Sequence, residues 1–356
     1  MEASLSERLV PWYMEHRRDL AFRRTRDPYA ILVAEVLLQR TRVAAGLPYY
    51  ERFLVRFPTV ADLARASEEE VLRAWEGLGF YGRARNLHRA AKAIVANHRG
   101  RIPSTFAELR GLPGIGAYTA GAVASIAFGE RVPAVDGNAA RVLARVFRLR
   151  GDLSRGEPRR RLLAVAASLV PAADPGTHNQ ALMELGSTVC RPRAPRCPEC
   201  PVQTACGAFA EGRPEAYPEV HAAARSPKVR VAFALAERDG KVLLVRRPPG
   251  GLLAGLWALP GGEVPRAGSE ASVLRGVFRD IGLVVRLGET AGRIDHAFSH
   301  RRWSGRILRV RLPRASGAPQ GAIWAAPDDL QRLPLVPFHR RFLERVAFPA
   351  RGQSRL

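Results

Sequence analysis

The sequence predicts a chain of two parts: an all-α part over about residues 5–225 and an α+β part that begins near residue 229. Three observations predict this division. In the first part, apolar residues recur at helical spacing between short connections that contain Gly or Pro. A segment with three prolines follows the cysteines, and we interpret residues 213–228 as a linker. After the linker, aliphatic and β-branched runs alternate with turn signals, as in strands.

The helices of the first part are predicted from their apolar spacing and their end signals. Asp27 before Pro28 predicts a helix start, with Asp as the N-cap and Pro at the first helical position. We predict helices at residues 29–38, 59–66, 67–78, 83–98, 104–109, 117–128, 137–148, 158–170 and 179–186.

The second part is predicted to mix strands with two helices. An Asp239-Gly240 turn is expected to join strands at residues 229–237 and 241–246 in a hairpin. We predict further strands at residues 283–287, 307–312 and 322–325, and helices at residues 269–280 and 339–346.

The charge balance indicates a polyanionic partner. The 356 residues include 56 Lys and Arg against 33 Asp and Glu, a formal net charge of +23 that both parts share. This surplus favours nucleic-acid binding, although a coding bias toward arginine would also produce it. No apolar run is long enough to span a membrane, and the N-terminus lacks a secretory core. We therefore expect a soluble cytoplasmic protein, associated with the nucleoid in a prokaryote.

All four cysteines lie in one short segment. Gaps of six, two and five residues separate Cys190, Cys197, Cys200 and Cys206. The paired CxxC hooks of zinc ribbons are absent, and disulfides are rare inside cells. One loop with four thiolates suits a 4Fe–4S cluster, while zinc or unliganded cysteines stay open as alternatives.

A glycine-rich stretch, Leu112-Pro113-Gly114-Ile115-Gly116, lies between two predicted helices. Glycines let the backbone turn sharply and bring N–H groups close to an anion, and the following helix adds its N-terminal partial charge. The stretch resembles a helix-hairpin-helix, which binds a DNA phosphate without reading the base sequence. An ordinary helix–helix turn is the alternative.

Two carboxylates are candidate catalytic groups. Glu35 lies in the apolar stretch ILVAEVLLQ, so it is either a buried structural group or an acid whose pKa burial raises. Asp136 opens a predicted helix in VPAVDGNAARVL, where an N-cap is the common role of Asp. A capping Asp is held ionised by backbone N–H groups. One protonated and one ionised carboxyl is the arrangement that glycosidic cleavage needs.

Residues from about 5 to 215 resemble the endonuclease III superfamily and, within it, the adenine DNA glycosylase (MutY) family. The resemblance rests on the cysteine spacing and on the stretches DPYAILVAEVLLQRTRV, WEGLGFYGRARNLHRAA, LPGIGAYTAGAVASIAFG, VDGNAARVLAR and NQALMELG. It implies that Glu35 is the general acid that protonates adenine and that Asp136 stabilises the oxocarbenium-like sugar. Asn138 would orient that site, and the cysteines would hold one 4Fe–4S cluster.

The family fold implies two helical subdomains in the first part. Residues 1–25 with 130–212 would surround the cluster, and residues 26–129 would contain the hairpin. DNA and the flipped base would lie in the cleft between them, with Leu112, Gly114 and Gly116 among the contacts to DNA.

Position 118 separates two branches of the superfamily. In glycosylase-lyases the residue two positions after the last hairpin glycine is a lysine, whose amine forms a Schiff base with the sugar. Here it is Tyr118, which cannot form that imine. The resemblance therefore implies a monofunctional hydrolase.

Further contacts to the substrate follow from the resemblance. Gln39 and Tyr81 match residues that enter the duplex beside the mispaired purine, and Gln180 matches a residue near the edge of the adenine. The family usually has Gln where this chain has Arg40, which is followed by Thr41, so the details of this DNA contact depart from the family pattern.

Residues 229–356 resemble the Nudix-like domain appended to this family, through GLLAGLWALPGGE and HAFSH. A Nudix hydrolase needs clustered glutamates for Mg²⁺. Alignment with that box places Ala267, Gly276 and Arg279 at three glutamate positions and Asp280 at another, so we expect no Nudix metal site. The resemblance implies instead that the HAFSH segment contacts 8-oxoguanine opposite the adenine, through its last three residues, Phe298, Ser299 and His300.

Together these features predict a monomeric enzyme that binds double-stranded DNA and removes adenine opposite 8-oxoguanine or guanine. A related monofunctional glycosylase for thymine or another mismatched base is the first alternative. A nucleotide pyrophosphohydrolase fused to a DNA-binding module, and a non-catalytic binder of damaged DNA, are the others. The missing glutamates argue against the former, and the presence of both carboxylates argues against the latter.

Overall fold

Helices dominate the first part of the chain in a computed structural model that describes residues 5–219, 226–313 and 321–348. The α-helices of the whole chain are α1 (Leu5–His16), α2 (Pro28–Leu37), α3 (Val43–Arg56), α4 (Val60–Arg65), α5 (Glu68–Ala74), α6 (Gly82–Asn97), α7 (Phe106–Gly111), α8 (Ala117–Phe128), α9 (Gly137–Phe147), α10 (Gly156–Leu169), α11 (Pro175–Thr188), α12 (Gly207–Ala210), α13 (Glu270–Asp280), α14 (Pro327–Arg332) and α15 (Pro337–Val346). Among the described residues, no helix is both long and apolar enough to cross a lipid bilayer.

The predicted start of α2 is confirmed. The Asp27 carboxylate accepts hydrogen bonds from the backbone N–H groups of Tyr29 and Ala30, at 3.0 and 3.3 Å, and Pro28 occupies the first helical position. Nearly every residue of this helix is buried, so it runs through the interior of the helical part and carries Glu35 with it.

The second part forms a seven-stranded sheet with helices, which confirms the predicted fold class. Its strands are β1 (Lys228–Arg238), β2 (Lys241–Arg246), β3 (Trp257–Ala258), β4 (Gly261–Glu263), β5 (Arg286–Ala297), β6 (Arg302–Arg311) and β7 (Ala322–Ala325). The path of the sheet is β3-β2-β1-β6-β5, with β4 on β1 and β7 on β2. The predicted Asp239-Gly240 turn joins β1 to β2, and both residues have positive φ.

The predicted bounds of strand β5 are wrong over most of its length, and strands β3 and β4 lie outside the predicted strands. We predicted a strand at residues 283–287, whereas the strand runs over Arg286–Ala297. Most of its side chains are exposed, so it lacks the apolar run that signals a strand. It pairs antiparallel with β6 over almost its whole length, and this pairing is what makes it a strand.

The chain divides into two compact units. One comprises Met1–Ala66 with Gly82–Ala222, and the other comprises Ser67–Tyr81 with Ala223–Leu356. The segment that includes α5 thus belongs to the same unit as the sheet, although it precedes the sheet by more than 140 residues. Arg340 binds the Glu76 carboxylate, and Trp257 Nε1 donates to Glu69 at 3.2 Å. The predicted division of the helical part into residues 1–25 with 130–212 and residues 26–129 stays a prediction.

Part of the predicted linker, residues 213–228, is packed against the helical unit. Pro214–Ala216 forms a 3-10 helix, and Tyr217 is buried in the core formed by α1, α9, α10 and α11. Arg145 Nε donates to the Tyr217 carbonyl at 3.0 Å. The helical unit therefore continues past the predicted boundary, while residues 220–225 lie outside the described residues.

Candidate active site

Glu35 lies near the end of α2 and faces Tyr118 on α8. The Tyr118 hydroxyl donates a hydrogen bond to Glu35 Oε2 and lies 3.2 Å from Met183 Sδ. Burial raises the pKa of Glu35 to about 7, the hydrogen bond from Tyr118 opposes that rise, and the charge of Asp136 adds to it. At neutral pH a large fraction of this carboxyl is therefore protonated and able to donate a proton.

Asp136 is the N-cap of α9, as its position in the sequence predicts. Its carboxylate accepts from the Ala139 N–H at 2.7 Å and from Asn138 Nδ2 at 2.9 Å. These hydrogen bonds favour the ionised form, but burial outweighs them, so the pKa of Asp136 lies above its ordinary value. The assignment of Asp136 as the ionised member of the pair stays a prediction.

Asn138 connects Asp136 to the cysteine loop through Arg141. Arg141 Nη2 donates to Asn138 Oδ1 at 2.9 Å, and Arg141 Nε donates to the Cys190 carbonyl at 2.9 Å. Gly186 of α11 packs so closely on Asn138 that a Cβ there would lie 2.7 Å from the Asn138 Cβ. Arg141 on one side and Gly186 on the other thus fix the orientation of Asn138.

A third buried carboxylate, Glu184 on α11, was missed from the sequence. Arg18 Nε and Nη2 donate to its two oxygens at 2.8 and 2.6 Å, and Arg23 Nη2 donates at 2.7 Å. Burial would raise the pKa of Glu184, but these hydrogen bonds outweigh it and lower the pKa to about 2. Its position in the apolar stretch NQALMELG was the available signal, the same signal that singled out Glu35.

Gln180 lies one turn before Glu184 on α11 and belongs to the same group of polar side chains. Its Oε1 accepts from the Tyr13 hydroxyl at 3.2 Å. The Arg23 guanidinium lies 5.4 Å from the centre of the Tyr13 ring, and its charge also lowers the pKa of Glu35. Gln180 is thus part of a polar group that includes Tyr13 and the ion pairs of Glu184.

The four cysteines line one pocket. Arg145 is buried beside it and donates from Nη1 to Cys190 Sγ at 3.3 Å. Burial, with a smaller contribution from the charges of the other cysteines, raises the pKa of the Cys200 thiol to about 12. Such thiols are ionised by a bound metal group rather than by their surroundings. Among the described residues, no group of three or more His, Cys, Asp or Glu side chains has the arrangement that would hold a single metal ion.

The donor set and the cavity fit an iron–sulfur cluster. Four soft sulfur ligands border one pocket, and the buried guanidinium of Arg145 offsets part of their negative charge.

The predicted hairpin connects α7 to α8. Gly114 has a φ of 75°, and a Cβ there would lie 2.4 Å from the Asn86 side chain, so the turn requires glycine at this position. Leu112 is buried and anchors the turn, whereas Gly114 and Gly116 are exposed, and a Cβ on Gly116 would meet open space. The backbone at the N-terminus of α8 is therefore accessible to an anion.

The residues after α2 form a tight turn. Gln39 Nε2 donates to Thr119 Oγ1 on α8 at 2.8 Å, and Thr41 N donates to the Leu38 carbonyl at 3.1 Å. Between them, Arg40 is exposed and has a φ of 55°. The turn therefore presents Arg40, rather than Gln39, to solvent.

The aromatic residue predicted to enter the duplex lies inside the protein. Tyr81 is 4% exposed, and its hydroxyl accepts from the Gly77 N–H at 3.3 Å. The preceding residue, Phe80, is 44% exposed and has a φ of 47°. A bulky residue with positive φ is strained, and such strain concentrates at functional sites. The available signal in the sequence was the glycine before Phe80, because Gly79 indicates a turn at this point.

The segment predicted to contact 8-oxoguanine forms the turn between β5 and β6. The Phe298 N–H donates to the Arg301 carbonyl at 2.8 Å, and the Phe298 ring packs edge-on against Trp303 and His296, at 5.2 and 4.6 Å. Ser299 and His300 are exposed at the tip. Phe298 therefore anchors the turn, while the two following residues are available for contact.

Comparisons with known proteins match both parts of the chain. The model of the HhH-GPD superfamily of base excision DNA repair proteins matches residues 33–167, and that of the NUDIX domain matches residues 231–345. Adenine DNA glycosylases of Mus musculus and Homo sapiens are 36% and 35% identical to the chain. Each alignment covers 90% of this chain, together with 73% of the mouse protein and 70% of the human protein.

Solved structures of DNA glycosylases also match the helical part of the chain. A thermostable thymine-DNA glycosylase aligns with a TM-score of 0.53 and 30% identity, over 58% of this chain and 95% of that one. A trapped endonuclease III–DNA covalent intermediate shares the fold, with a TM-score of 0.50 and 23% identity over 58% and 94% of the two chains. The chain therefore belongs to the adenine DNA glycosylase family, base-excision repair enzymes that here combine a helix-hairpin-helix core with a C-terminal Nudix-like domain.

Proposed function

We propose that this enzyme hydrolyses the N-glycosidic bond of adenine mispaired with 8-oxoguanine or guanine in double-stranded DNA. The observation that carries the proposal is the pair of carboxyl groups in the helical unit. Burial raises the pKa of Glu35 to about 7, and Asp136 is fixed by two hydrogen bonds. A proton donor beside a rigid carboxylate is the arrangement that glycosidic cleavage requires.

In the proposed mechanism Glu35 transfers its proton to a ring nitrogen of adenine as the bond between that base and C1′ breaks. The bonding electrons leave with the neutral adenine, and the positive charge that develops on the sugar is stabilised by the Asp136 carboxylate. Water then adds to C1′ and loses a proton to the Glu35 carboxylate, which restores the acid. Asn138 holds Asp136 in place during the reaction through its 2.9 Å hydrogen bond.

We assign monofunctional chemistry to this site. Tyr118 occupies the position of the Schiff-base lysine, and its hydroxyl is engaged with Glu35, while burial raises its pKa well above the ordinary value. It therefore remains a neutral donor and forms no imine. Borohydride treatment during turnover should trap no enzyme–DNA adduct, and efficient trapping would contradict this assignment.

We assign one 4Fe–4S cluster to Cys190, Cys197, Cys200 and Cys206. The cluster would supply a structural brace for the loop between α11 and α12, with Arg145 as the neighbouring cation. Anaerobically purified protein should be yellow-brown with close to four irons per chain. Stoichiometric zinc without iron would contradict the assignment.

Contacts to DNA are assigned to three exposed turns. The hairpin at Gly114 and Gly116 binds a phosphate through its backbone N–H groups, and Phe80 enters the duplex in place of Tyr81, because Phe80 is the exposed ring. The turn after β5 reads 8-oxoguanine through Ser299 and His300, which are exposed at its tip. The enzyme acts as a monomer on genomic DNA, which in a prokaryote places it at the nucleoid.

One set of labelled duplexes tests the function directly. Duplexes that contain A:8-oxoguanine, A:G, T:G and 8-oxoguanine:C are incubated with the enzyme and then cleaved with alkali at abasic sites. We expect product from the first two alone. The T:G duplex is included because the chain aligns with a thymine-DNA glycosylase, and thymine release faster than adenine release would establish that alternative.

A further inference from the structure

Arg83, near the start of α6, binds the C-terminal end of the helix that carries Glu35. Its Nη1 atom donates to the carbonyl oxygens of Val36 and Leu37, at 3.1 and 2.9 Å, and also to that of Gln39. The last carbonyls of a helix have no partner within the helix, and a cation there also complements the helix dipole. Arg83 therefore supplies the C-terminal cap of α2.

The cap is built from a buried cation. Burial, together with the positive charge of nearby Arg40, lowers the pKa of Arg83 to about 10. The guanidinium is nevertheless charged at neutral pH, and hydrogen bonds to a charged donor are the stronger ones. Two arginines are thus held close to each other, which is unfavourable unless these carbonyl contacts or a further anion offset the repulsion.

Arg83 contacts the residues immediately before and after Arg40. Besides the Gln39 carbonyl, Arg83 reaches Thr41 Oγ1, with 3.4 Å between that oxygen and Nη2. Arg40 lies between these two residues, exposed and with a φ of 55°. A left-handed conformation is unfavourable for a side chain such as Arg and persists where its surroundings hold it.

We propose that Arg83 is a positioning residue for mispair recognition, because it holds the Gln39–Thr41 turn so that the Arg40 side chain points out toward the duplex. The proposal rests on the proposed function and adds the Gln39–Thr41 turn to the three turns already assigned to DNA. Arg83 itself contacts backbone and Thr41, so it acts on the substrate through the turn.

The test compares Arg83→Met and Arg83→Lys with Lys92→Met, which removes one positive charge from an exposed position on the same helix. Affinity is measured for an A:G duplex with an uncleavable adenosine analogue and for a fully matched duplex. We expect Arg83→Met to reduce the mispair-to-matched affinity ratio by about 10- to 100-fold, the range for hydrogen bonds to a charged group. Lysine keeps the charge but not the planar fork, so it should recover part of the ratio. Lys92→Met should leave it unchanged.

Two further readouts separate positioning from a general loss of structure. Amide hydrogen exchange at residues 38–41 should increase in Arg83→Met without a matching increase in the core of α8. The pH profile of single-turnover excision should keep the midpoint of wild type, because Arg83 acts on the turn through backbone carbonyls and Thr41. Equal weakening on both duplexes, or unchanged exchange at residues 38–41, would overturn the proposal. Hydrogen exchange is measured without substrate, so it tests whether Arg83 holds the turn even if the wild-type enzyme does not excise adenine. A wild-type enzyme that does not excise adenine would instead contradict the proposed function.

Discussion

Glu35 and Glu184 are carboxylates on two helices of the same unit, and their surroundings drive their pKa values in opposite directions. Glu35 has a hydroxyl as its hydrogen-bond partner, so burial dominates and its pKa rises to about 7. Glu184 accepts from two guanidinium groups, so its pKa falls to about 2 despite burial. One group can therefore donate a proton near neutral pH and the other cannot.

The Glu35→Gln change tests the proton donor. An amide keeps the shape of the side chain and can still accept from Tyr118, but it cannot deliver a proton. We expect binding of A:8-oxoguanine DNA to be retained while single-turnover excision falls by about 10²- to 10⁴-fold or more. Excision within tenfold of wild type would remove Glu35 from the mechanism.

The Tyr118→Phe change tests the pH dependence. A general acid must be protonated, so excision should decline as the pH rises through the pKa of Glu35, about 7. The Tyr118 hydroxyl stabilises the carboxylate and lowers that pKa, so phenylalanine should move the alkaline decline to higher pH. The acidic decline, which we assign to Asp136, should lie above the ordinary carboxyl range. Single-turnover rates across pH measure both, and an alkaline limb that moved to lower pH would contradict the assignment.

At the scale of elements, short connections between helices or strands carry the proposed contacts to DNA. The hairpin before α8, the turn after α2 and the β5–β6 turn each have an exposed tip and an anchor that is at least partly buried. The anchors are Leu112, Gln39 and Phe298, respectively. Rigid elements with exposed connections are the usual arrangement for binding sites, because loops at the surface can vary while their ends stay fixed.

The two hairpin glycines provide a matched pair of variants. Gly114→Ala places a Cβ at positive φ and 2.4 Å from Asn86, whereas Gly116→Ala places one in open space at a φ of −84°. We expect Gly114→Ala to lower the thermal midpoint by at least about 2–4 °C and to weaken binding to any duplex. Gly116→Ala should leave the midpoint within error. Equal midpoints for the two variants would show that the turn does not need the left-handed conformation.

At the scale of the whole molecule, Ser67–Tyr81 and the C-terminal domain form one compact unit. The Glu76 carboxylate accepts from the Arg340 guanidinium and from the Leu335 N–H. Both Glu76 and Arg340 are largely buried, and removal of one partner of a buried ion pair is costly, about 3–5 kcal/mol. The segment that contains Phe80 therefore depends on the C-terminal domain for part of its packing.

Truncation of the C-terminal domain tests this dependence. A chain that ends near Ala224, a position outside the described residues, keeps both catalytic carboxyls and the hairpin, so it should still excise adenine from A:G. It loses Arg340 and Trp257, the partners of Glu76 and Glu69, so its thermal midpoint should fall as well as its affinity. Calorimetry and filter binding measure the two effects, and an unchanged midpoint would argue against the shared packing.

The Ser299→Ala change tests lesion recognition with the domain in place. A hydrogen bond to a base edge is worth about 1–3 kcal/mol, so the preference for A:8-oxoguanine over A:G should fall by about 5- to 150-fold. Loss of phosphate contacts would instead weaken both duplexes alike and reduce the salt dependence. Rates on the two duplexes at two salt concentrations distinguish these outcomes. An unchanged preference would rule out Ser299 as the reader of the lesion.

The sequence by itself determined the features that depend on neighbouring residues. The caps at Asp27 and Asp136 act on N–H groups two or three residues away, and the Asp239-Gly240 turn joins adjacent strands, so their signals are local. The family motifs likewise lie in continuous stretches. These local signals were enough for the fold class, the family and the candidate carboxyls.

Tertiary structure alone decided which side chains meet across the chain and which face solvent. Glu184 pairs with arginines more than 160 residues away, Arg83 caps a helix that ends 46 residues before it, and Phe80 rather than Tyr81 is exposed. Strand β5, with few buried residues, exists through its pairing with β6. Such outcomes depend on the packing of distant elements, because burial and charge pairing arise only when the whole chain has folded.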